Sequence, residues 1–205
     1  MGLAVLYVLA AYFVGAIPFG YIVARKVKGI DIREHGSGNV GGTNVGRVVG
    51  KKAGYTTLAL DFFKGFIVVA IAKLLFPISV DAYQVIPVLA GIAAVIGHSR
   101  SVFIGFKGGK SVITSTGILL ALEPISAILL SALAVTTIKI TRYVSVGSML
   151  AAFLLPLSIW LTHKWFFHRP AAASHLILAG FIFVYVIYLH RTNIVRLVRH
   201  QENRI

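Results

Sequence analysis

Residues 3–24 read LAVLYVLAAYFVGAIPFGYIVA, and from Leu3 through Ala24 no side chain carries a charge. At 1.5 Å of rise per residue, about 20 helical residues cross the hydrocarbon core of a bilayer, so this run reads as a membrane helix. Leu176 to Leu189 is a second such run. The 205-residue chain is 58% hydrophobic with a mean hydropathy of +0.87, more apolar than a soluble domain of that size. The runs are continuous rather than alternating, which argues against a β-barrel. The first run has no basic start and no small-residue cleavage site before Arg25, so it reads as a retained helix and not a leader. The expected fold is all-α, one polytopic membrane domain covering residues 1–205.

Seven spans are expected, at about 3–24, 54–76, 82–98, 109–122, 125–140, 144–162 and 174–190. The fourth and fifth are short and separated only by Glu123-Pro124. Charge decides whether they are one helix or two. With seven spans and the N-terminus outside, sixteen of the twenty basic residues fall in inside loops, and only Lys164 and Arg169 fall outside. Merging the two would place Lys139 and Arg142 opposite Lys107 and Lys110. Pro124 also suits a break. The C-terminus is then cytoplasmic, and the polar clusters at 36–47, 98–111, 142–148 and 190–202 share the cytoplasmic face.

The net charge of +14 fits cytoplasmic loops against anionic headgroups better than nucleic acid, for which no aromatic-basic module is present. The absence of cysteine excludes disulfides, thiolate metal sites and a cysteine acyl-enzyme. Six scattered acids and no HExxH motif give no expectation of a metal, and no cofactor is expected.

The first polar cluster is Gly36-Ser37-Gly38-Asn39-Val40-Gly41-Gly42-Thr43-Asn44-Val45-Gly46-Arg47. Glycines let backbone N–H groups turn toward an anion, and Ser37, Asn39, Thr43, Asn44 and Arg47 are the donors that suit phosphate. A flexible membrane loop is the plain alternative. Gly36, Gly38 and Gly41 form a literal GxGxxG, but no strand precedes it, so a dinucleotide site is not expected. The second cluster, Gly105-Phe106-Lys107-Gly108-Gly109-Lys110-Ser111, resembles a P-loop end but has Ile104 where glycine is needed. Gly108, Gly109 and Lys110 are expected to open the fourth helix, whose free N–H groups would face the interface.

Arg142-Tyr143-Val144-Ser145-Val146-Gly147-Ser148 begins the sixth span, with Ser145 and Ser148 on one helical face. His190-Arg191-Thr192-Asn193 closes the last, and His98 closes the third in a similar position. Both histidines are candidate bases, although interfacial histidines are commonly structural. Asp61 and Lys64, three apart inside a span, are expected to pair.

Taken in order, GSGNVGGTNVGR, GHSRSVFIGFKGGKS, RYVSVGS and HRTNIVRL with Glu202 downstream, together with LDFFKG at 60–65, resemble the motifs of the bacterial glycerol-3-phosphate acyltransferase family that uses acyl phosphate as donor. The resemblance spans nearly the whole chain. Val40 and Ser101 stand where the family often has proline, Ser111 where glycine is common, and His200-Gln201 where Gly-Thr is usual.

The resemblance implies that acyl phosphate plus sn-glycerol 3-phosphate gives 1-acylglycerol 3-phosphate and phosphate, in phospholipid synthesis. It implies seven spans, an outside N-terminus, a site on the cytoplasmic side of the bacterial inner membrane, and no need for acyl-CoA or acyl carrier protein. Two phosphates require two anion-binding regions. The donor is assigned to the Gly36–Thr43 loop, with Ser37, Asn39 and Thr43 nearest the chemistry. Glycerol phosphate is assigned to Arg47, Lys107, Ser145, His190 and Asn193, with Lys110 or Arg142 shared and Gly108 and Gly109 giving backbone contacts. Asn44 and His98 complete the expected binding set. Direct transfer without an acyl-enzyme is expected. A transporter of organic phosphates and a membrane phosphatase are the competing classes.

Overall fold

In the computed structural model, residues 1–82 and 84–204 are described, and among them all regular structure is helical. The helices are α1 Gly2–Ala16, α2 Phe19–Lys28, α3 Gly42–Val48, α4 Lys51–Leu75, α5 Val85–Ser99, α6 Val112–Leu122, α7 Pro124–Thr141, α8 Val144–Trp165, α9 Ala173–Leu189 and α10 Arg191–Val198. Helix occupies each of the seven expected stretches. By length and composition, three helices suit a membrane crossing: Gly2–Lys28 taken as one, α7 and α8. The count is four if α9 and α10, bent by 55°, form one span. Helices α5 and α6 are apolar but short.

The opening stretch is interrupted. Pro18 has no N–H to give and its ring crowds the preceding turn, so α1 stops at Ala16 and α2 starts at Phe19. The break leaves the Ile17 carbonyl without its helical partner. Lys64 reaches it from α4, with Nζ donating at 2.8 Å. The proline that divides the first span therefore creates the acceptor that a buried lysine uses.

The chain forms two compact units, Met1–Ile118 and Leu119–Ile205. In the first, α1 packs along α5, and α4 packs against α2, α3 and α5. Near the loops, Ala24, Ile32, Val40, Val45, Ala53 and Ile104 form a buried apolar cluster. In the second, α8 packs between α7 and α9, and α10 folds against the end of α9. Helices α6 and α7 are separate, parted at Glu123 with Pro124 opening α7, so the expected break is present.

Candidate phosphate-binding site

Asn44 organises the first glycine-rich loop of the first unit. Its side chain is buried, and its Oδ1 accepts from the Ser37 N–H at 2.9 Å. Its Nδ2 donates to the His35 carbonyl at 3.0 Å and the Asn39 carbonyl at 2.9 Å. One amide thus ties together both limbs of the loop. Asn39 makes a smaller tie, its Oδ1 accepting from the Gly41 N–H at 2.8 Å. Gly36 sits at φ +61, and a Cβ there would run into the Asn44 amide, so the turn needs glycine. Val40 is buried in the apolar cluster and anchors the loop from below. The glycine-rich stretch from Gly36 to Asn44 is therefore a braced loop and not a slack one.

The braced loop leaves Ser37 exposed and Thr43 half-buried, with Arg47 exposed one turn further on α3. Gly42 and Thr43 open α3, where N–H groups have no intrahelical acceptor. Of the expected donors, Asn44 is spent on the loop itself. Its amide braces the loop, where a substrate contact was expected.

The second glycine-rich loop lies close to the first through two connections. Ile104 belongs to the same apolar cluster as Val40 and Val45. Arg33 also donates from Nη1 to the Ile104 carbonyl at 3.2 Å. Arg33 is itself clamped by Asp31, with Nη2 to Oδ2 at 2.6 Å and Nε to Oδ1 at 2.9 Å. The hydrogen bonds from Arg33 hold the Asp31 carboxyl down at about 2 and raise the guanidinium above its ordinary value. Lys107 is exposed and Lys110 half-buried on this loop. The expected helix start moves: α6 begins at Val112, so Gly108, Gly109 and Lys110 are loop residues. Ser111 Oγ donates to the Val95 carbonyl at 2.9 Å in the interior, which gives it a structural role and removes the last P-loop likeness.

Asp61 and Lys64 pair as their spacing demands, with Nζ 2.8 Å from Oδ1. The sequence did not reveal a third member. His98 Nδ1 lies 3.5 Å from the same oxygen, and all three side chains are buried. The other side of the His98 ring faces the second loop. A Cβ on Gly109 would strike its Nε2, and the Gly109 N–H donates to the His98 carbonyl at 3.1 Å. His98 therefore sits under the loop, joining it to the Asp61–Lys64 pair.

In the second unit, Glu202 gathers the expected residues. Its Oε1 accepts from Ser145 Oγ at 3.0 Å and from Asn193 Nδ2 at 2.6 Å, and its Oε2 from Arg196 Nε at 2.9 Å. Burial pushes the carboxyl up, but the hydrogen bonds from Asn193, Arg196 and Ser145 together outweigh it, and the net shift is downward. Ser145 and Asn193, expected to face glycerol phosphate, are thus held by an internal anion. Glu202 stands in the C-terminal motif quoted above but was given no role in the expected site, though a lone acid among Arg191, Arg196, Arg199 and Arg204 was a usable signal. His190 is buried, and its Nδ1 lies 2.8 Å from the Val186 carbonyl. A carbonyl only accepts, so Nδ1 carries the proton and Nε2 is the basic nitrogen. Arg142 is exposed at φ +62, between α7 and α8.

The family model for glycerol-3-phosphate acyltransferase matches residues 5–200. The glycerol-3-phosphate acyltransferase of Halalkalibacterium halodurans is 40% identical, over 100% of this chain and 97% of its own. That of Acholeplasma laidlawii is 40% identical, over 97% of this chain and 91% of its own. Among solved structures, the glycerol 3-phosphate form of PlsY (YgiH), an integral membrane glycerol 3-phosphate acyltransferase, superposes with a TM-score of 0.86 at 40% identity, covering 98% of this chain and 95% of that one. Its lysophosphatidic acid form gives 0.85 at 39% identity, with the same coverage.

Proposed function

The chain belongs to the glycerol-3-phosphate acyltransferase family, and from that premise we propose that it acylates the 1-hydroxyl of glycerol 3-phosphate with acyl phosphate as donor. The relatives' names support the acceptor. The observation that carries the donor reading is the Asn44-braced loop. It is a small, pre-shaped, glycine-rich surface bearing Ser37 and Thr43, with Arg47 one turn away. Acyl phosphate is a small activated anion that such a loop can hold by backbone N–H groups.

In this reading the donor phosphate lies on the Gly36–Thr43 loop. Arg47 and Lys107, with Lys110, take the acceptor's phosphate. In the second unit, Ser145, Asn193 and Arg142 have donor chemistry that suits a phosphate, and Glu202 positions the first two. The acceptor oxygen forms a C–O bond with the acyl carbonyl carbon, and the bond from that carbon to the phosphate oxygen breaks. Phosphate departs with the electron pair. The hydroxyl proton needs a base, a chemistry that the departing phosphate and the His190 imidazole both have. His98, buried beneath the second loop, positions it and takes no proton. Alignment and oxyanion stabilisation supply most of the acceleration, because the donor is already activated. The chain crosses the bacterial inner membrane seven times with its N-terminus outside, and it uses neither acyl-CoA nor acyl carrier protein.

The test is purified protein in detergent with acyl phosphate and labelled glycerol 3-phosphate. Lysophosphatidate formation is expected. Phosphate release without it would indicate a phosphatase, and neither product a transporter. Acyl-CoA in place of acyl phosphate is expected to give no product. Arg47→Ala removes a charge-assisted contact of about 1.5–3 kcal/mol, so the KM for glycerol 3-phosphate should rise about 10- to 100-fold. An unchanged KM would sink the clamp assignment, and an acylated Ser37 caught by mass spectrometry would overturn direct transfer.

A further inference from the structure

Glu123, His163 and His175 belong to none of the phosphate chemistry. They come from three places in the second unit: the corner before α7, the last turn of α8 and the first turn of α9. All three are buried. His163 Nε2 lies 2.9 Å from Glu123 Oε1, and His175 Nδ1 lies 2.6 Å from the same oxygen. A carboxylate has two oxygens, and two rings that needed only an acceptor could take one each. Here both nitrogens converge on one point, and the three donor atoms lie within 4.8 Å of one another. No other group of three or more His, Cys, Asp or Glu converges this way among the described residues.

Two imidazoles and one carboxylate are the donor set of borderline divalent ions, zinc above all. We propose that Glu123, His163 and His175 bind a zinc-class divalent metal ion, with water completing a tetrahedron. Bonds of about 2.0–2.2 Å place tetrahedral donors roughly 3.4 Å apart, so the 2.9 and 2.6 Å nitrogen–oxygen contacts lengthen by about 0.5 and 0.8 Å to admit the ion. The anion and two neutral rings would then carry the ion's charge inside the protein instead of leaving the carboxylate to two hydrogen bonds. The role is structural. Ser145 and His163 stand near opposite ends of α8, about 27 Å apart at 1.5 Å per residue, so the ion is remote from the Glu202 cluster. It would clasp the α6–α7 corner to the ends of α8 and α9. His163 Nδ1 has no hydrogen-bond partner, so that ligand lacks outer support, and micromolar rather than nanomolar affinity is expected.

The test uses the full chain without a histidine tag, stripped with chelator in detergent. Zinc is titrated and counted by elemental analysis after desalting, thermal unfolding is followed, and cobalt(II) is added separately for its visible spectrum. One zinc per chain, a melting point raised by several degrees and a tetrahedral cobalt spectrum displaced by zinc are expected. Glu123→Gln and His175→Asn should each abolish all three, while His200→Ala, at an exposed histidine, leaves them intact. Substoichiometric zinc, binding only at millimolar concentration, or a cobalt spectrum of the hexaaqua type in the unsubstituted chain overturns the proposal without any variant. Equal stoichiometry in a folded His175→Asn chain overturns it as well.

Discussion

Asn44 concentrates the loop's shape in one side chain. Replacing it with alanine strands the Ser37 N–H and the Asn39 carbonyl, and leaves the His35 carbonyl with the Gly38 N–H alone. Unpairing polar groups costs about 1–3 kcal/mol each when buried, and the loop is partly solvated, so Asn44→Ala should lose about 2–4 kcal/mol of stability. Transferase kcat/KM should fall more steeply than the melting point alone explains, and denaturant titration alongside initial rates checks both. The sequence showed that this stretch was rich in donors, and that much was legible. It did not show which asparagine turns inward, because Asn39 and Asn44 have the same chemistry and differ only in burial. His98 is similar. Its partner Asp61 lies on another helix, so spacing along one helix revealed the Asp61–Lys64 pair but not the third member.

At the scale of elements, the end of α10 is latched by Glu202. The folded carboxyl lies below its ordinary value, so the latch contributes fully above the unfolded glutamate range near pH 4.3 and is lost as pH falls through the lower folded value. Proteolytic cleavage after Arg199 or Arg204 should therefore stay slow near neutrality and accelerate on acidification. In Glu202→Gln it should be fast and nearly independent of pH, and mass spectrometry of timed digests measures this. The α1–α2 break gives a second expectation. Lys64→Met leaves the Asp61 charge buried with less compensation and the Ile17 carbonyl without its lysine, which should cost about 3–5 kcal/mol. Asp61→Asn combined with Lys64→Met should recover much of that loss in the same unfolding assay.

For the whole molecule, the absence of cysteine makes topology directly measurable. Single cysteines at Lys52 and His200 should react with an impermeant maleimide only in inverted vesicles, and those at Ile78 and His168 only in right-side-out cells. The reverse pattern would invert the proposed orientation. The break at Glu123-Pro124 was legible because loop charges conflicted with a single long helix. The Glu123–His163–His175 cluster was not, since its members are 40 and 52 residues apart and each looked like an isolated polar residue near the end of an apolar run. Residues 3–24 still count as part of one candidate crossing, and only the local break at Pro18 went unread. A proline that bends a helix and one that interrupts it within a single span look alike in sequence.

The bracing of the first loop has a kinetic consequence. A surface held in shape by Asn44 and Val40 before any anion arrives has no closing motion to wait for. If the proposed donor site is this loop, capture of a phosphate there is governed by encounter, and release by contacts rather than by a lid. Turnover on that reading would respond to ionic strength, and would show no viscosity dependence beyond that of the encounter itself.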